Sequence, residues 1–408
     1  MCAMDPGTLH RMLVRSIWRD RWPFLVAGLA MLVQMIAQVI EVDHGDFPVF
    51  VGAAEHLNDG LSPYLTWLPT RNGHALQFVY PPLSASVFTP FTWMPRSAAY
   101  VIWFLIRVAL SMRILKLMLG QGSAIAHGWK RTLFTNVVLA VFLRFALDDI
   151  ALGQWTIVLL FLAVEGVHRL QQGSSRTGAF LIALGASLKL LPLVLLVGLA
   201  RTRKWRALTW TVVFGILFTA LPILHVGPTR FVQLMIEWSH ALDPKFNPDI
   251  SDTGGNNKGI LGLSGMLPAY WPAAGDGAIG LVLNGLRVLL LMGALRFSRR
   301  KGSDDRTMFA YLLLIAPLIF PHQQSYAFLF VTPAVVIILN NLLSKNSLVA
   351  VDRWALGLLA GSIALLVGSA HIILGPAGHE FATYAKFITW GAMLLVPAMM
   401  LTRRKMNE

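Results

Sequence analysis

The sequence predicts an all-α multi-pass membrane protein, one domain over residues 1–408 with about 10–12 transmembrane segments. Three observations predict this class. Only 13% of the 408 residues are charged and 56% are hydrophobic, whereas about 25% of a soluble domain is charged. Apolar runs of about 20 residues, the length that crosses a bilayer, recur along the chain. The basic residues are concentrated in alternate loops, as membrane topology requires.

The apolar runs predict ten spans. The first follows four arginines and lacks a small-residue cleavage site, so we expect an uncleaved helix there. The single cysteine, Cys2, excludes a disulfide framework and a cysteine-based metal site. The predicted spans lie near residues 24–40, 97–116, 132–147, 154–168, 207–226, 277–295, 308–320, 325–343, 354–374 and 384–401.

The distribution of positive charge predicts the orientation. Of the 34 lysines and arginines, 24 fall in one set of loops and six in the opposite set. By the positive-inside rule, both termini are cytoplasmic, and the long loops 41–96 and 227–276 lie on the outer face of the cytoplasmic (inner) membrane. The net charge of +14 then indicates contact with anionic membrane lipids, and we expect no nucleic-acid partner.

Residues 177–200 predict a broken helix that enters the membrane and returns. Their length suits one crossing, yet basic loops flank both ends. Pro192 removes a backbone donor near the middle, so we expect two half-helices that meet near 188–192. Broken backbone is tolerated at membrane depth only beside protein or a polar cavity, which indicates a cavity at Lys189. The alternative is a proline-kinked span with the topology shifted by one.

The outer loop 41–96 contains the candidate catalytic group. Asp43 and Asp46 follow the first span, and apolar residues at helical spacing predict an amphipathic surface helix over 47–58. A carboxylate at the membrane face can act as the general base that deprotonates an acceptor hydroxyl, and Asp46 is our candidate. The alternative is that Asp46 caps the helix, and that Asp43 pairs with an arginine.

Departure of a phosphate leaving group requires nearby cations or hydrogen-bond donors, and three residues are candidates for that role. Lys189 has no acid within a helical turn, which favours a phosphate contact. Arg144 precedes Asp148 by one turn, so an ion pair between them is an equal alternative. His322 lies in a polar cluster at the end of a span, where an interface position is the alternative. Arg107 and Arg287 are expected to pair or to snorkel.

Aromatic and amide side chains in the outer loops are candidates for binding the substrates. Tyr and Trp rings can stack on sugars, and amides can bind hydroxyls. No metal-binding motif is visible, so we expect no cofactor; the alternative is that Asp43 helps Asp46 to bind a divalent ion. The substrate-binding candidates are Asp43, Tyr64, Trp67, Tyr80, Gln154, Asn256 and Asn257.

Six ordered segments together resemble glycosyltransferase family 87, membrane enzymes of the GT-C fold that include polyprenyl-phosphate-mannose-dependent α-mannosyltransferases. The segments are DFPVFVGAAEHLNDGLSPY (46–64), VYPPLSASVFTPF (79–91), ALGQWTIVLLFL (151–162), ALGASLKLLPLVLLVGLARTRKWRA (183–207), GGNNKGILGL (254–263) and FPHQQSYAFLFVTPA (320–334).

The resemblance implies that Asp46 is the catalytic aspartate and that the donor is a polyprenyl-phosphate sugar. It implies that Lys189 belongs to a K-x-x-P motif at the broken helix, and that His322 falls in a Ser-Pro-His type segment, where Phe320 replaces the usual serine. The expected reaction transfers a hexose, mannose first, to a hydroxyl of a lipid or glycan acceptor with inversion.

Two alternatives to this function remain. One is another polyprenyl-phosphate sugar transferase, of the aminoarabinose or arabinofuranose type. The other is a transporter or flippase for a lipid-linked sugar, because broken helices and midplane cations occur in transporters too. The absence of a visible internal repeat in the sequence favours an enzyme.

Overall fold

The computed structural model describes residues 6–40, 45–69, 75–125, 128–246, 259–273, 275–297 and 305–402. Helices dominate these ranges, as the sequence predicts, and each of the ten predicted spans falls on a helix. The α-helices are α1 (Pro6–Ile40), α2 (Phe47–Asn58), α3 (Pro82–Phe88), α4 (Arg96–Gln121), α5 (Trp129–Leu152), α6 (Thr156–Gln171), α7 (Ser175–Leu188), α8 (Val194–Arg201), α9 (Trp205–Ala220), α10 (Ile223–Val226), α11 (Pro228–Phe246), α12 (Leu263–Tyr270), α13 (Asp276–Gly293), α14 (Asp305–Ile319), α15 (Thr332–Leu343), α16 (Ala350–Gly368), α17 (His371–Tyr384) and α18 (Phe387–Leu401).

Six helices of the described residues are long and apolar enough to cross a membrane, and the bent pair α17–α18 would make a seventh. The remaining predicted spans fall on α5, α6 and α14, which are helical but shorter or more charged. The predicted span 354–374 ends at Gly368, because the chain breaks at Ser369 and Ala370 before α17 begins. A bend of 63° then separates α17 from α18.

The centre of the bundle is the hairpin of α14 and α15, joined by a 3-10 helix over Ser325–Val331. Of an 18-residue stretch within Ser325–Leu343, 94% is buried inside the protein. The corresponding stretches of α13 and α9 are only 11% and 17% buried. Helices that stay apolar where they face outward require an apolar solvent. The bundle is therefore a multi-pass membrane protein with α9 and α13 on its lipid-facing surface.

The re-entrant prediction for residues 177–200 is confirmed. Arg306 donates to Gln171, just before α7, over 2.8 Å, and Lys204, just after α8, pairs with Asp305 over 2.9 Å. Both flanks of the segment therefore lie at one end of the bundle, which we call the basic end and define by Gln171, Lys204, Asp305 and Arg306.

The aromatic contacts of α7 agree with this path. Arg176 lies 4.9 Å from the Trp210 ring, and Phe180 lies 5.5 Å from Phe214, so α7 and α9 run parallel. A short turn joins α8 to α9, and α8 must therefore lead back to the end at which α7 began. The turn of this hairpin comes after Leu188, where α7 stops and a 3-10 helix, Leu191–Leu193, contains Pro192.

The opposite end of the bundle carries α2, α3, α11, α12 and a small antiparallel ribbon of β1 (Trp67–Pro69) and β2 (Ala75–Gln77), with Trp67 opposite Gln77. This ribbon is the one sheet within the described residues. We call this the site end, defined by Asp46, Tyr80, Gln154 and Lys189.

Helix α2 begins and ends at the predicted residues but is not an amphipathic surface helix. The apolar residues whose spacing predicts an amphipathic helix are at 47, 50, 51, 54 and 57. Val49, Gly52 and Ala53 lie outside that set and are buried as well. The reason is an aromatic cluster in which Phe50 packs on Tyr80 at 5.0 Å and Phe47 packs on Tyr100 at 5.3 Å. The first residues of α2 are therefore held rigidly inside the protein.

Candidate active site

The position of Asp46 is set by two interlocked glycine turns. Gly45 and Gly153 have φ values of +79° and +69°, which favour glycine. A Cβ at Gly45 would lie 2.6 Å from the backbone of Leu152, and one at Gly153 would lie 2.6 Å from the Phe47 Cβ. The Asp46 N–H also donates to the Leu152 carbonyl over 2.8 Å. The start of α2 is thereby fixed against the turn between α5 and α6.

The side chain of Asp46 does not cap α2, so the capping alternative is not what the structure shows. Its Oδ2 accepts a hydrogen bond from the Gln154 amide Nε2, and Asp46 remains partly exposed. A hydrogen bond to the ionised carboxylate stabilises that form. Asp46 is thus an oriented carboxylate that keeps access to solvent or substrate.

Tyr80 orients the amide that contacts Asp46. Its hydroxyl donates to the Gln154 Oε1 over 3.1 Å, which leaves Nε2 to face the carboxylate. Burial raises the pKa of Tyr80 well above its usual value, and the charge of Asp46 raises it further. The hydroxyl therefore stays protonated and keeps donating. Gln154, predicted to bind substrate, is instead fully buried and acts as a support for Asp46.

Lys189 lies at the break of the re-entrant hairpin, where its backbone is extended at φ −154° and ψ 137°. The break is stabilised by Ser84 of α3, whose hydroxyl donates to the Leu188 carbonyl over 2.6 Å. The Lys189 Nζ lies 5.0 Å from the Tyr80 ring centre and 5.4 Å from that of Tyr326. Aromatic faces attract an ammonium group, so the two rings hold the cation. They hold it beside Asp46, Gln154 and Tyr80, which we call the Asp46 cluster.

No carboxylate of the described residues forms an ion pair with Lys189. Asp46 and Asp149 act on it through their charges. Asp149 is itself buried against Arg107, with 3.5 Å between Oδ1 and the guanidinium, and its Oδ2 accepts the Thr156 N–H over 2.7 Å at the start of α6. Of the two expectations for Arg107, pairing or snorkelling, the structure shows pairing. Within the described part of the chain, Lys189 is the cation beside Asp46 that has no ion pair with a carboxylate.

An apolar groove of about 560 Å³ borders the hairpin break. Ser187 and Leu190 contribute to its wall at the break, and α9 forms the opposite wall, including Gly215 and Thr219. The wall of α9 faces the lipid side of the bundle. A long apolar chain could therefore lie in this groove with its head near Lys189. The other lining residues are Ala183, Ala186, Leu193, Leu196, Thr211, Val212, Ile216, Ala220, Phe231 and Met235.

Arg144 and Tyr64 differ in position from the predicted substrate contacts. Arg144 pairs with Asp148 over 2.6 Å, which is the ion-pair alternative. Tyr64 is buried and its hydroxyl donates to the Tyr80 carbonyl over 2.9 Å, so it braces the loop that carries Tyr80. Burial raises the pKa of Tyr64 well above its usual value, with a further contribution from Glu237, and its hydroxyl stays a donor.

The contacts that join Asp46, Tyr80 and Gln154 do not include Trp67 or His322, and the predicted roles of these two residues stay predictions. The Trp67 side chain is 65% exposed on β1. His322 adopts φ +51° and precedes Gln323, whose carbonyl accepts the Leu261 N–H over 2.6 Å. That bond ties the segment before α12 to the turn between α14 and α15.

Asp43, Asn256 and Asn257 lie outside the described residues, and their predicted roles stay predictions. Within the described residues, no group of three histidine, cysteine or acidic side chains is placed to hold a metal ion. The prediction that the reaction needs no cofactor is therefore untested.

Sequence reasoning missed Ser84, Tyr326 and Gly45 as parts of the site. Ser84 and Gly45 act through backbone contacts with Leu188 and Leu152, more than 100 residues further along the chain. No pattern of residues close together in the sequence predicts such contacts. Tyr326 lies four residues after His322, and its place in that polar cluster is the sequence signal that could have identified it.

Comparison with known proteins assigns the chain. The model of glycosyltransferase family 87 matches residues 78–321, more than half of the chain. The chain belongs to glycosyltransferase family 87. The matched region contains Tyr80, Gln154 and Lys189, and begins after Asp46. Family membership confirms the predicted class, a membrane glycosyltransferase of the GT-C type, and decides against the transporter alternative.

No curated protein matches this family 87 chain. Among solved structures, it is similar to ArnT from Cupriavidus metallidurans bound to undecaprenyl phosphate. The similarity covers 93% of this chain and 77% of ArnT, with 14% sequence identity and a TM-score of 0.41. At that level, the ArnT structure carries no argument about donor or acceptor here.

Proposed function

We propose that this family 87 enzyme transfers mannose from a polyprenyl-phosphate donor to a hydroxyl of a lipid or glycan acceptor, with inversion, at the outer face of the cytoplasmic membrane. The observation that carries the proposal is the arrangement of three features. They are the oriented, partly exposed carboxylate of Asp46, the ammonium of Lys189 between two tyrosine rings, and the apolar groove that borders the Lys189 turn.

The groove supports a lipid donor. It is lined mostly by apolar side chains, and helices α7, α8, α9 and α11 form its walls. Lipid tails are as apolar as these side chains, so a prenyl tail can pass from the lipid into the groove without exposure to a polar environment. A tail in the groove would bring the phosphate to the Lys189 turn. The choice of mannose follows from the family, which includes polyprenyl-phosphate-mannose-dependent enzymes.

The proposed reaction is a single displacement. Asp46 takes the proton of the acceptor hydroxyl while the hydroxyl oxygen attacks the anomeric carbon of the sugar. The bond from that carbon to the phosphate oxygen breaks, and polyprenyl phosphate leaves with both bonding electrons. Lys189 stabilises the charge that develops on the departing phosphate. Attack opposite the leaving group inverts the anomeric centre, and one carboxylate suffices because phosphate leaves without needing a proton.

The donor is tested with purified protein and an envelope lipid extract as the acceptor source. Polyprenyl-phosphate-mannose, polyprenyl-phosphate-glucose and a polyprenyl-phosphate pentose are supplied separately, and the release of polyprenyl phosphate is measured. We expect the mannose donor to be consumed at least about tenfold faster than the others, a difference of about 1.4 kcal/mol. Faster consumption of the glucose or pentose donor would overturn the choice of mannose.

The groove is tested by Gly215→Leu. A Cβ at Gly215 meets nothing within 4 Å, so the leucine extends into the groove without a clash at its base. We expect kcat/KM for a long-chain donor to fall about tenfold, with a smaller loss for a donor that has a three-isoprene tail. Gly357→Leu, on α16, is the matched control because its Cβ also meets nothing within 4 Å and it lines neither this groove nor another described cavity. Equal losses for both donors, or no loss, would place the tail elsewhere.

A further inference from the structure

A second cavity lies at the basic end, far from the Asp46 cluster. Its volume is about 320 Å³, and it opens between the ends of α4, α6 and α14, with α15 behind it. Helix α6 alone spans 16 residues, about 24 Å, between the Gln154 turn and this end. The cavity therefore belongs to neither the groove nor the candidate active site.

The mouth of this cavity is cationic. Arg113, Lys116 and Arg306 line it, together with His168 and Gln171, and no aspartate or glutamate is among its described lining residues. Arg113 is held in place by Glu165, which accepts from its Nε over 2.9 Å and from its Nη2 over 3.1 Å. Glu165 also pairs with Arg169 over 2.7 Å, so one carboxylate serves two guanidinium groups. With Lys116 and Arg306 added, the opening keeps a net positive charge that attracts an anion.

Gln171 adds a hydrogen-bond donor. Its Oε1 accepts from the Arg306 Nε over 2.8 Å, whereas its buried Nε2 finds no acceptor within the described residues. A buried amide N–H without an acceptor is costly. An oxygen atom of a bound ligand would satisfy it, and a phosphate or ester oxygen is of the required kind.

The depth of the cavity is apolar. Beyond the cationic mouth, the walls are formed by hydrophobic side chains of α4, α6, α14 and α15, which excludes a fully polar anion as the ligand that fills the cavity. A molecule with an anionic head and an acyl chain matches both parts. These apolar lining residues are Leu117, Val164, Val167, Phe309, Ala310, Leu313, Pro333 and Ile337.

We propose that this cavity binds an anionic glycerophospholipid of the leaflet at the basic end, with the phosphate at Arg113, Lys116 and Arg306 and one acyl chain among the apolar walls. Basic pockets between transmembrane helices are suited to anionic lipid headgroups. The lipid would bridge α4, α6 and α14, and would thereby strengthen the packing of the central hairpin. This site is independent of the donor groove and of the proposed reaction.

The test measures lipid binding to the purified protein by native mass spectrometry and by thermal unfolding. Dioleoyl phosphatidylglycerol is titrated against dioleoyl phosphatidylcholine, which has the same chains without net charge. We expect phosphatidylglycerol to bind at least about tenfold more tightly. Each basic residue near a membrane surface contributes about 1 kcal/mol, so Lys116→Gln with Arg306→Gln should weaken that binding roughly 25-fold.

Two matched pairs of variants separate the cavity from general surface charge. Arg206→Gln removes an exposed arginine of α9 that does not line the cavity, and we expect it to keep the preference for phosphatidylglycerol. Gly120→Leu narrows the cavity without changing any charge, since Gly120 lines it and has room for a Cβ. It should abolish the preference, whereas Gly215→Leu in the donor groove should not.

Four results would overturn the proposal. These are equal binding of the two lipids to the wild type, an equal loss with Arg206→Gln, full binding to Gly120→Leu, or Gly120-dependent binding of polyprenyl phosphate in place of phosphatidylglycerol. Gly120→Leu leaves every cation in place. If the charge variants unfold, the binding of phosphatidylglycerol to folded Gly120→Leu still tests the proposal.

Discussion

Asp46 and Asp149 are two carboxylates fixed by the same turn between α5 and α6, yet their surroundings suit them to different tasks. Asp149 is fully buried, pairs with Arg107 and caps the start of α6 through Thr156. Asp46 is partly exposed and is contacted by the neutral amide of Gln154. A carboxylate neutralised by a buried arginine is a structural group, whereas one oriented by an amide keeps its charge for a reacting proton.

The same contrast separates the cations. Arg107 and Arg144 each have a carboxylate partner, at 3.5 Å and 2.6 Å. Lys189 instead lies between the rings of Tyr80 and Tyr326. Within the described residues, the pairing of the arginines leaves Lys189 as the cation nearest to the Asp46 cluster that can neutralise an incoming phosphate. The two kinds of cation therefore differ in their partners, which are carboxylates for the arginines and two aromatic rings for Lys189.

The largest expected effect is on stability, at the structural side of this comparison. Arg107→Met leaves Asp149 buried without its cation, and removing one partner of a buried pair costs about 3–5 kcal/mol. We expect poor expression and a strongly lowered unfolding temperature in detergent. Adding Asp149→Asn, whose amide oxygen can still accept the Thr156 N–H, should restore most of the loss. Wild-type stability of Arg107→Met alone would show that the pair is not structural.

The next effect is on catalysis and concerns the cation. Lys189→Gln keeps a polar side chain at the hairpin turn but removes the charge that stabilises the leaving phosphate. Loss of one such stabilising group lowers kcat by about 10²-fold. Arg144→Gln is the control, and because Arg144 already pairs with Asp148, kcat should change by less than about threefold. Both constants are measured at saturating donor. A reversed order would return the phosphate role to Arg144.

The smallest of these effects concerns the orientation of Asp46. Gln154→Leu removes the amide donor but leaves the carboxylate, and a hydrogen bond to a charged group contributes about 1.5–3 kcal/mol. We expect kcat/KM to fall at least about tenfold. Gln77→Leu removes an amide that donates to the Tyr64 carbonyl, outside this cluster, and should have little effect. Equal losses in the two variants would reduce the role of Gln154 to general packing.

The sequence alone predicts much of the fold and only part of the site. Local signals suffice to predict the bounds of α2 over 47–58 and the hairpin turn near 188–192. The periodicity of apolar residues and the position of Pro192 can both be read from short stretches of sequence. The re-entrant path follows from the charges of its flanks. The Asp46–Gln154 hydrogen bond joins residues 108 positions apart, and Tyr80–Gln154 joins residues 74 apart. Such pairings depend on tertiary packing that no local pattern encodes.

Two predicted roles changed for the same physical reason. Tyr64 and Gln154 are polar residues in promising segments, but burial inside the aromatic cluster directs their polar atoms to Tyr80 and Asp46. A buried polar group must find a partner within the protein. Sequence reasoning selected these segments but could not distinguish a side chain that is placed to contact substrate from one that positions its neighbour.

The proposed role of Asp46 as the general base is tested directly by Asp46→Asn. Asparagine keeps the size of the side chain and can still accept a hydrogen bond from Gln154, but it cannot take the acceptor proton. Mannosyl transfer from polyprenyl-phosphate-mannose and donor binding are measured on the same purified protein. We expect transfer to fall by about 10²–10⁴-fold, the usual contribution of a general base, while donor binding changes by less than about twofold. Transfer within a few-fold of wild type would contradict it.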